Sequence, residues 1–248
     1  MKIIVNGSNG HMGNEVMKFV LEGYRGSELA AAVDINVPQK AEYPTFTSLA
    51  EVNVDAECII DFSHHSITKQ LMDFAISKGL FVVIATTGQS EEELALINEA
   101  SKKIPIFISA NMSLGIALLV ELAKTTVKTM PDADIEIIEQ HHNRKLDAPS
   151  GTALLIANAI RTVRENAQYM FGRDGQHKRE KNEIGIHAVR MGNIVGIHEV
   201  IVGTDTQTIT LKHEAHSRTL FAEGAIAAAN FLKGKPAGKY DMKSMIND

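Results

Sequence analysis

The sequence predicts an α/β protein built in two parts, and three observations carry that expectation. Up to about residue 112, short β-branched runs alternate with stretches of helical periodicity. Several of those runs are apolar throughout, as strands of a parallel sheet covered by helices on both faces must be. Beyond that point the alternation stops. From Gly185 to His213 β-rich runs follow one another with no helix between them, which predicts an antiparallel or mixed second sheet.

Taken in order, "KIIVN" (2–6) is a buried-strand signal that ends in glycine. "NEVMKFVLEG" (14–23) places Val16, Phe19 and Val20 on one helical face, with Gly23 as a stop. "ELAAAVD" (28–34), "AECIIDFS" (56–63), "FVVIATTG" (81–88) and "IPIFISAN" (104–111) are the next four strands. Helices "SITKQLMDFAISKG" (66–79) and "SEEELALINEASKK" (90–103) separate them, the second opened by Ser90 with Glu93 at the capping-box position. A long helix follows over 113–130, then an alternating strand over 133–140 and a helix over 152–167. Residues 171–183, "FGRDGQHKREKNE", are polar and without period, and read as a surface loop, solvated in the first reading and a lid in the second. Strands over 184–192, 194–203 and 206–215 lead to a last apolar helix over 219–234.

Composition bounds the function. The chain has 248 residues, 44% hydrophobic and 22% charged, with a formal net charge of -5. A nucleic-acid binder would show a basic excess or stripe, and neither is present, so nucleic acid is not an expected partner. No apolar run reaches the roughly 18 residues of a membrane span. The N-terminus turns glycine-rich at once, unlike a signal peptide. The single cysteine, Cys58, lies in an apolar run and reads as a buried small hydrophobe. A cytoplasmic protein is expected, because one cysteine forms no internal disulfide and suits a reducing compartment.

"VNGSNGHMG" (5–13) sets Gly7, Gly10 and Gly13 between the first strand and the first helix. Small residues there allow a tight turn, close approach of a pyrophosphate and close packing of helix on strand. The helix start adds free N–H groups and the positive end of its dipole. Asp34 closes the next strand, where an acidic residue accepts hydrogen bonds from ribose hydroxyls. This pattern predicts dinucleotide binding. Asp34 favours NADH over NADPH, since it would repel a 2′-phosphate. Ile35, Asn36 and Val37 follow with no arginine, and Lys40 is the nearest cation in sequence. "ATTGQ" (85–89) and "SANMS" (109–113) end the fourth and fifth strands and are expected to border the nicotinamide end.

A second cluster is "QHHNRKLDAPSGTALL" (140–155), which runs from a strand through a loop into a helix. Ser150 reads as an N-cap, so the first turn of Gly151, Thr152 and Ala153 offers free N–H groups to an anion. His141, His142, Arg144 and Lys145 add positive character suited to a substrate with carboxylates. A histidine and a lysine are both able to donate protons. Adjacent histidines can also ligate metal, but no third ligand stands at a zinc-site spacing, and no metal is expected.

These runs, with "GSNGHMG", "ATTG", "GIHAVRMGNIVGIHEV" and "HEAHSRTLFAEGA", resemble the dihydrodipicolinate reductase family of lysine and diaminopimelate biosynthesis over essentially the whole chain. The resemblance implies a Rossmann-like domain over 1–112 and 217–248, and an inserted α+β substrate and tetramerisation domain with a mixed sheet over 113–216. It implies NADH or NADPH as cofactor, a cyclic imine dicarboxylate as substrate, and a homotetramer. Carried over by position, His141 would be the proton donor or acceptor and Lys145 the second proton donor. His142, Lys145, Gly151 and Thr152 would hold the carboxylates, and Gly7, Gly10, His11, Met12, Asp34, Thr87, Gly88, Ala110 and Met112 would line the cofactor. Three positions depart from the family's common pattern: His11 and Ile35, where arginine is frequent, and Met112, where phenylalanine is. Two other readings stay open on the residues alone. One is a Rossmann dehydrogenase of an amino-acid aldehyde, the other a nucleotide sensor without turnover.

Overall fold

The structure, a computed structural model, describes residues 1–36 and 41–248. In chain order the elements begin with β1 (Lys2–Asn6), α1 (His11–Leu21), β2 (Glu28–Val33), β3 (Thr45–Phe46), β4 (Cys58–Asp61), α2 (Thr68–Lys78), β5 (Phe81–Ile84), α3 (Glu91–Ser101) and β6 (Pro105–Ile108). Next come α4 (Leu114–Thr129), β7 (Asp134–His141), α5 (Gly151–Arg161), β8 (Gln168–Phe171), β9 (Glu183–Arg190), β10 (Gly196–Gly203) and β11 (Thr208–Ala215). The chain closes with α6 (Thr219–Leu232), β12 (Gly238–Tyr240) and α7 (Met242–Ile246). Two compact units result, Met1–Ser113 with Thr219–Asp248, and Leu114–Arg218.

The first unit is a seven-stranded sheet in the order β12-β6-β5-β4-β1-β2-β3. Every pairing in it is parallel. Successive strand residues point to opposite faces. Ile4, Ile59, Val82 and Ile106 meet Leu71 and Ala75 of α2 and Ile97 of α3. Phe107 points to the other face and meets Phe231 of α6 edge-on, with ring centroids 6.2 Å apart. Strands buried on both sides explain the continuous apolar runs, and Cys58 is buried among them. The chain leaves β1 towards β2 on one side and returns to β4 on the other. The carboxyl ends on either side of β1 therefore flank a topological switch point, where open α/β sheets bind ligands.

The second unit is a five-stranded sheet in the order β11-β10-β7-β9-β8. It is mixed: β10 runs antiparallel to β7 and β11, while β9 is parallel to β7 and β8. One face packs Ile135, Ile137, Val200 and Val202 against Ile116 and Leu119 of α4 and Ile156 and Ile160 of α5.

Several local expectations need correction. Helix α1 starts at His11, earlier than expected, because Gly10 itself serves as the extended N-cap. Helix α5 ends at Arg161 and not near Ala167. There the chain turns, and Arg164 donates to the carbonyls of Ala133 (2.7 Å) and Pro131 (2.9 Å). Strands β3, β8 and β12 were not foreseen, being too short to show a period. The polar loop over 171–183 is exposed but tethered: Arg179 pairs with Asp134 (2.9 Å) and Glu136 (3.2 Å), and Arg173 pairs with Glu183. The capping box of Ser90 and Glu93 is present at the start of α3. Among the described residues, no helix is long and apolar enough to cross a membrane.

Candidate active site

The first unit carries a cleft of about 520 Å³ at the carboxyl ends of β1, β2 and β4. Its walls include Gly7, Gly10 and Asp34, together with Ile35, Thr47 and Phe62. Gly7 turns with φ +79°, and a Cβ there would lie 2.7 Å from the Phe62 carbonyl carbon. At Gly13 a Cβ would lie 1.9 Å from the Gly7 carbonyl oxygen. Bare backbone at both positions is what lets α1 begin directly against β1 and β4. The N-cap Gly10 has no side chain to cap α1, so the first-turn N–H groups are left for an anion.

Asp34 is held in place by its own loop and by the glycine turn after β1. Its Oδ2 accepts from the Asn9 N–H at 3.0 Å and its Oδ1 from the Asn36 N–H at 2.9 Å. Glycine cradle, uncapped helix start and acidic acceptor together fit a dinucleotide. Ile35 beside Asp34 is 84% exposed. Lys40 and Val37 lie outside the described residues.

The remaining cofactor candidates do not line this cleft. Thr87 and Gly88 follow β5 and Ala110 follows β6, on the same edge of the sheet but further along it. Gly88 adopts a left-handed φ of +87°. His11 and Met12 form the first turn of α1. Met112 is buried, and its carbonyl oxygen occupies the place of a Cβ on Gly224, 1.7 Å from that position.

One group in this unit escaped the sequence reading. Asp61, 1% exposed, accepts from Asn6 Nδ2 (2.7 Å), Ser63 Oγ (2.6 Å) and Thr86 Oγ1 (2.9 Å). It ties together the carboxyl ends of β1, β4 and β5. Burial raises its pKa against the pull of those hydrogen bonds. A charged residue closing the apolar run "CIID" was the available signal.

The second unit holds the histidine–lysine loop between β7 and α5. On β7 the inward face reads Ile135, Ile137, Glu139, His141, so the period that builds the core also buries a carboxylate and an imidazole. Glu139 is fully buried. Its Oε2 accepts from His141 Nδ1 (2.6 Å) and Arg190 Nη1 (2.8 Å), and its Oε1 accepts from Arg190 Nη2 (2.7 Å) and the Ser150 N–H (2.9 Å). Burial alone would raise the Glu139 pKa, but these donors outweigh it and hold the pKa at about 2. The carboxylate is therefore ionised, and His141 must carry its proton on Nδ1.

Ser150 caps α5 by accepting from the Ala153 N–H, and its Oγ lies 3.1 Å from His198 Nε2. His198 packs edge-on against His141 with centroids 5.2 Å apart. Burial first, and the neighbouring His141 second, bring the His198 pKa down to about 4, so this ring is neutral at physiological pH. His142 is also pushed down, by burial and then by the charges of Arg144, Arg218, His141 and Lys145. Arg144 turns to Asn193 Oδ1 at 2.6 Å and is exposed.

Lys145 Nζ lies 2.7 Å from Asp147 Oδ1. Lys145 first, and the nearby Gly151 N–H least, hold the pKa of this carboxylate low. The ammonium thus already grips a carboxylate supplied by the chain, close to the start of α5. At Gly151 a Cβ would meet nothing within 4 Å, so packing does not demand the glycine. The Lys145 charge acts on His142, and His141 is tied through Glu139 to Ser150, the residue before Gly151, with Thr152 next on α5. Among the described residues, no group of three or more His, Cys, Asp or Glu side chains is placed to hold a metal. Sequence reasoning missed Glu139 and Arg190, which come from different strands, and the pairing of His198 with Ser150.

Comparison with known proteins bears on both units. The family described as dihydrodipicolinate reductase, N-terminus, matches residues 1–112, and that described as dihydrodipicolinate reductase, C-terminus, matches residues 115–246. A 4-hydroxy-tetrahydrodipicolinate reductase of Clostridium tetani is 46% identical over 100% of this chain and 97% of its own. Another, of Caldanaerobacter subterraneus subsp. tengcongensis, is 48% identical over 99% of this chain and 98% of its own. The solved structure of a dipicolinate-bound dihydrodipicolinate reductase from Paenisporosarcina sp. TG-14 superposes with a TM-score of 0.83, at 25% identity and 97% coverage of each chain. Two adjoining matches that take in almost every residue, with relatives identical at nearly half of all positions, show that this protein belongs to the dihydrodipicolinate reductase family.

Proposed function

We propose that this protein reduces 4-hydroxy-tetrahydrodipicolinate, a cyclic imine dicarboxylate, to tetrahydrodipicolinate in lysine and diaminopimelate biosynthesis, with a reduced nicotinamide nucleotide as electron donor. The observation that carries the reading is the carboxylate held by Lys145 Nζ ahead of the start of α5, in a loop that begins at a histidine whose Nδ1 is engaged by Glu139. A substrate carboxylate replaces Asp147 on Lys145 and takes the Gly151 N–H, with His142 and Thr152 beside them.

In the net reaction a hydride and a proton enter the ring and the 4-hydroxyl leaves as water. The nicotinamide cofactor, when bound, supplies the hydride. Lys145 and His141 supply the proton and stabilise negative charge that develops on the ring nitrogen. The clamp at the start of α5 orients the ring for the transfer. In the first unit, Gly7, Gly10 and the first turn at His11 and Met12 receive the pyrophosphate, and Asp34 accepts from the ribose hydroxyls. Thr87, Gly88, Ala110 and Met112 border the nicotinamide end.

Asp34 supports NADH as the better donor, because its charge opposes a 2′-phosphate. The second unit supports a homotetramer: the sheet face turned away from α4 and α5 carries half-buried Ile138, Val189, Ile197 and Ile201, which a neighbouring copy would cover. A cytoplasmic location fits a biosynthetic reductase.

The test is loss of reduced-cofactor absorbance, with NADH and NADPH in parallel and substrate made fresh from pyruvate and aspartate semialdehyde. Oxidation that depends on substrate, faster with NADH, is expected. Cofactor binding without oxidation overturns the reading, and a preference for NADPH overturns the role given to Asp34. Light scattering on the eluting protein tests the tetramer.

A further inference from the structure

We infer that Glu139, clamped by Arg190, is a positioning residue for the reduction: it fixes His141 as the Nδ1–H tautomer, so that Nε2 is the atom that exchanges a proton with substrate. The inference rests on the reductase reading above and assigns Glu139 and Arg190 a task within it.

The geometry leaves little freedom. Glu139 and His141 stand two residues apart on β7 and so face the same way. A carboxylate offers about four acceptor positions. Here four donors take them, two on each oxygen: His141 Nδ1, the Ser150 N–H and both terminal nitrogens of Arg190. An ionised carboxylate so surrounded has no proton to give, and the short contact to His141 requires the hydrogen on Nδ1. The other ring nitrogen faces a glycine: a Cβ on Gly196 would stand 3.1 Å from His141 Nε2. A side chain at that position would cover the atom assigned to proton exchange.

The same carboxylate fixes the surroundings of the ring. Through the Ser150 N–H it holds the residue that caps α5, next to Gly151. Through Arg190, whose Nη2 also donates to the Asp147 carbonyl at 2.6 Å, it holds the loop that carries Lys145. One buried group thus sets three parts of the chemistry: the tautomer, the helix start and the lysine loop. A buried charge of this kind is costly unless every partner is in place. A core role alone is served as well by an apolar residue, so the charge points to a task at the histidine.

The test is long-range proton–nitrogen NMR of the histidine rings in the full-length protein, with His141 assigned by the loss of its signals in His141→Asn. Wild-type His141 should show a protonated Nδ1 and, once neutral, an unprotonated Nε2. In Glu139→Gln the amide can offer N–H to the ring, and the tautomer should shift to Nε2–H. Turnover should then fall by about 10²-fold or more, as when a carboxylate that fixes a catalytic tautomer is lost, while KM changes less than about 3-fold. Glu139→Asp, which keeps the charge, should recover part of kcat. A wild-type ring protonated on Nε2 overturns the inference whether or not Glu139→Gln folds. So does a Glu139→Gln protein with unchanged tautomer and kcat. Wild-type protein that shows the Nδ1–H ring but oxidises neither cofactor overturns the reductase reading alone, and the tautomer assignment stands.

Discussion

The turn after β1 and the loop after β7 are both short connections from a strand into a helix, and both present a helix start to an anion. The first is made of backbone. Gly7, Gly10 and Gly13 contribute by lacking side chains, and the contacts that require this come from their own neighbourhood and from one adjacent strand. The second is made of side chains. Its central carboxylate, Glu139, is completed by Arg190, which is 51 residues away in sequence. A backbone site tolerates change around it as long as the turn is kept. A side-chain site depends on every partner, so damage to it should be more severe and more specific to chemistry.

The sharpest separation of the two is Lys145→Ala. Turnover should fall by about 10²–10⁴-fold, the usual range for loss of a general acid. KM for the substrate should also rise, because Asp147 would remain at the start of α5 with no cation beside it. Affinity for NADH, measured by fluorescence titration, should stay within about 2-fold. An equal loss of cofactor affinity would mean that Lys145 serves cofactor binding and not proton transfer.

Acid provides the second separation. The Glu139 pKa is held at about 2, below the usual 4.5, so the stability it contributes is complete above pH 4.5 and is lost as pH falls through about 2. The contribution is on the order of 3 kcal/mol. Denaturant midpoints between those pH values should fall less in Glu139→Gln than in wild type. Parallel curves for the two proteins would show that the carboxylate is not linked to folding in this way.

Legibility in the sequence follows the same division. The parallel sheet was readable because strands buried on both faces must be apolar throughout, and the glycine turn because its requirements are local. His141, Lys145 and the Ser150 cap were visible as a dense polar run ahead of a helix. Glu139 was not: alternation with Ile135 and Ile137 puts it on the core face, but nothing local shows what would neutralise a carboxylate there. Its partner Arg190 lies on β9, which meets β7 only in the folded sheet. Arg190 itself, in "HAVRMG", had no local pattern to mark it. The short strands β3, β8 and β12 were invisible for a simpler reason: they owe their extended form to the strand beside them.

Gly13→Ala acts on the first unit alone. The added methyl would strike the backbone of Gly7 and Ser8, which cannot rotate away, so α1 must shift. Overpacking of this kind costs about 1–3 kcal/mol, and NADH affinity should drop by about 10-fold or more. KM for the proposed imine dicarboxylate, measured at saturating NADH, should be unchanged. A parallel rise in that KM would mean that the two sites are not separable.

The smallest effect should come from Gly151→Ala, which asks why the second site contains a glycine at all. In the first unit glycine is required by packing. At Gly151, the first residue of α5, a Cβ would meet nothing within 4 Å, and the backbone there has no positive φ. Alanine therefore fits, and its better helix propensity should leave the melting temperature unchanged or slightly higher. The open space next to the Gly151 N–H is where the substrate carboxylate is assigned, so the methyl should raise KM by about 10-fold with little change in kcat. A stable variant with weaker substrate binding would show that the glycine is kept for the ligand and not for the fold. An unchanged KM would remove Gly151 from the clamp and leave the carboxylate to Lys145 and the histidines.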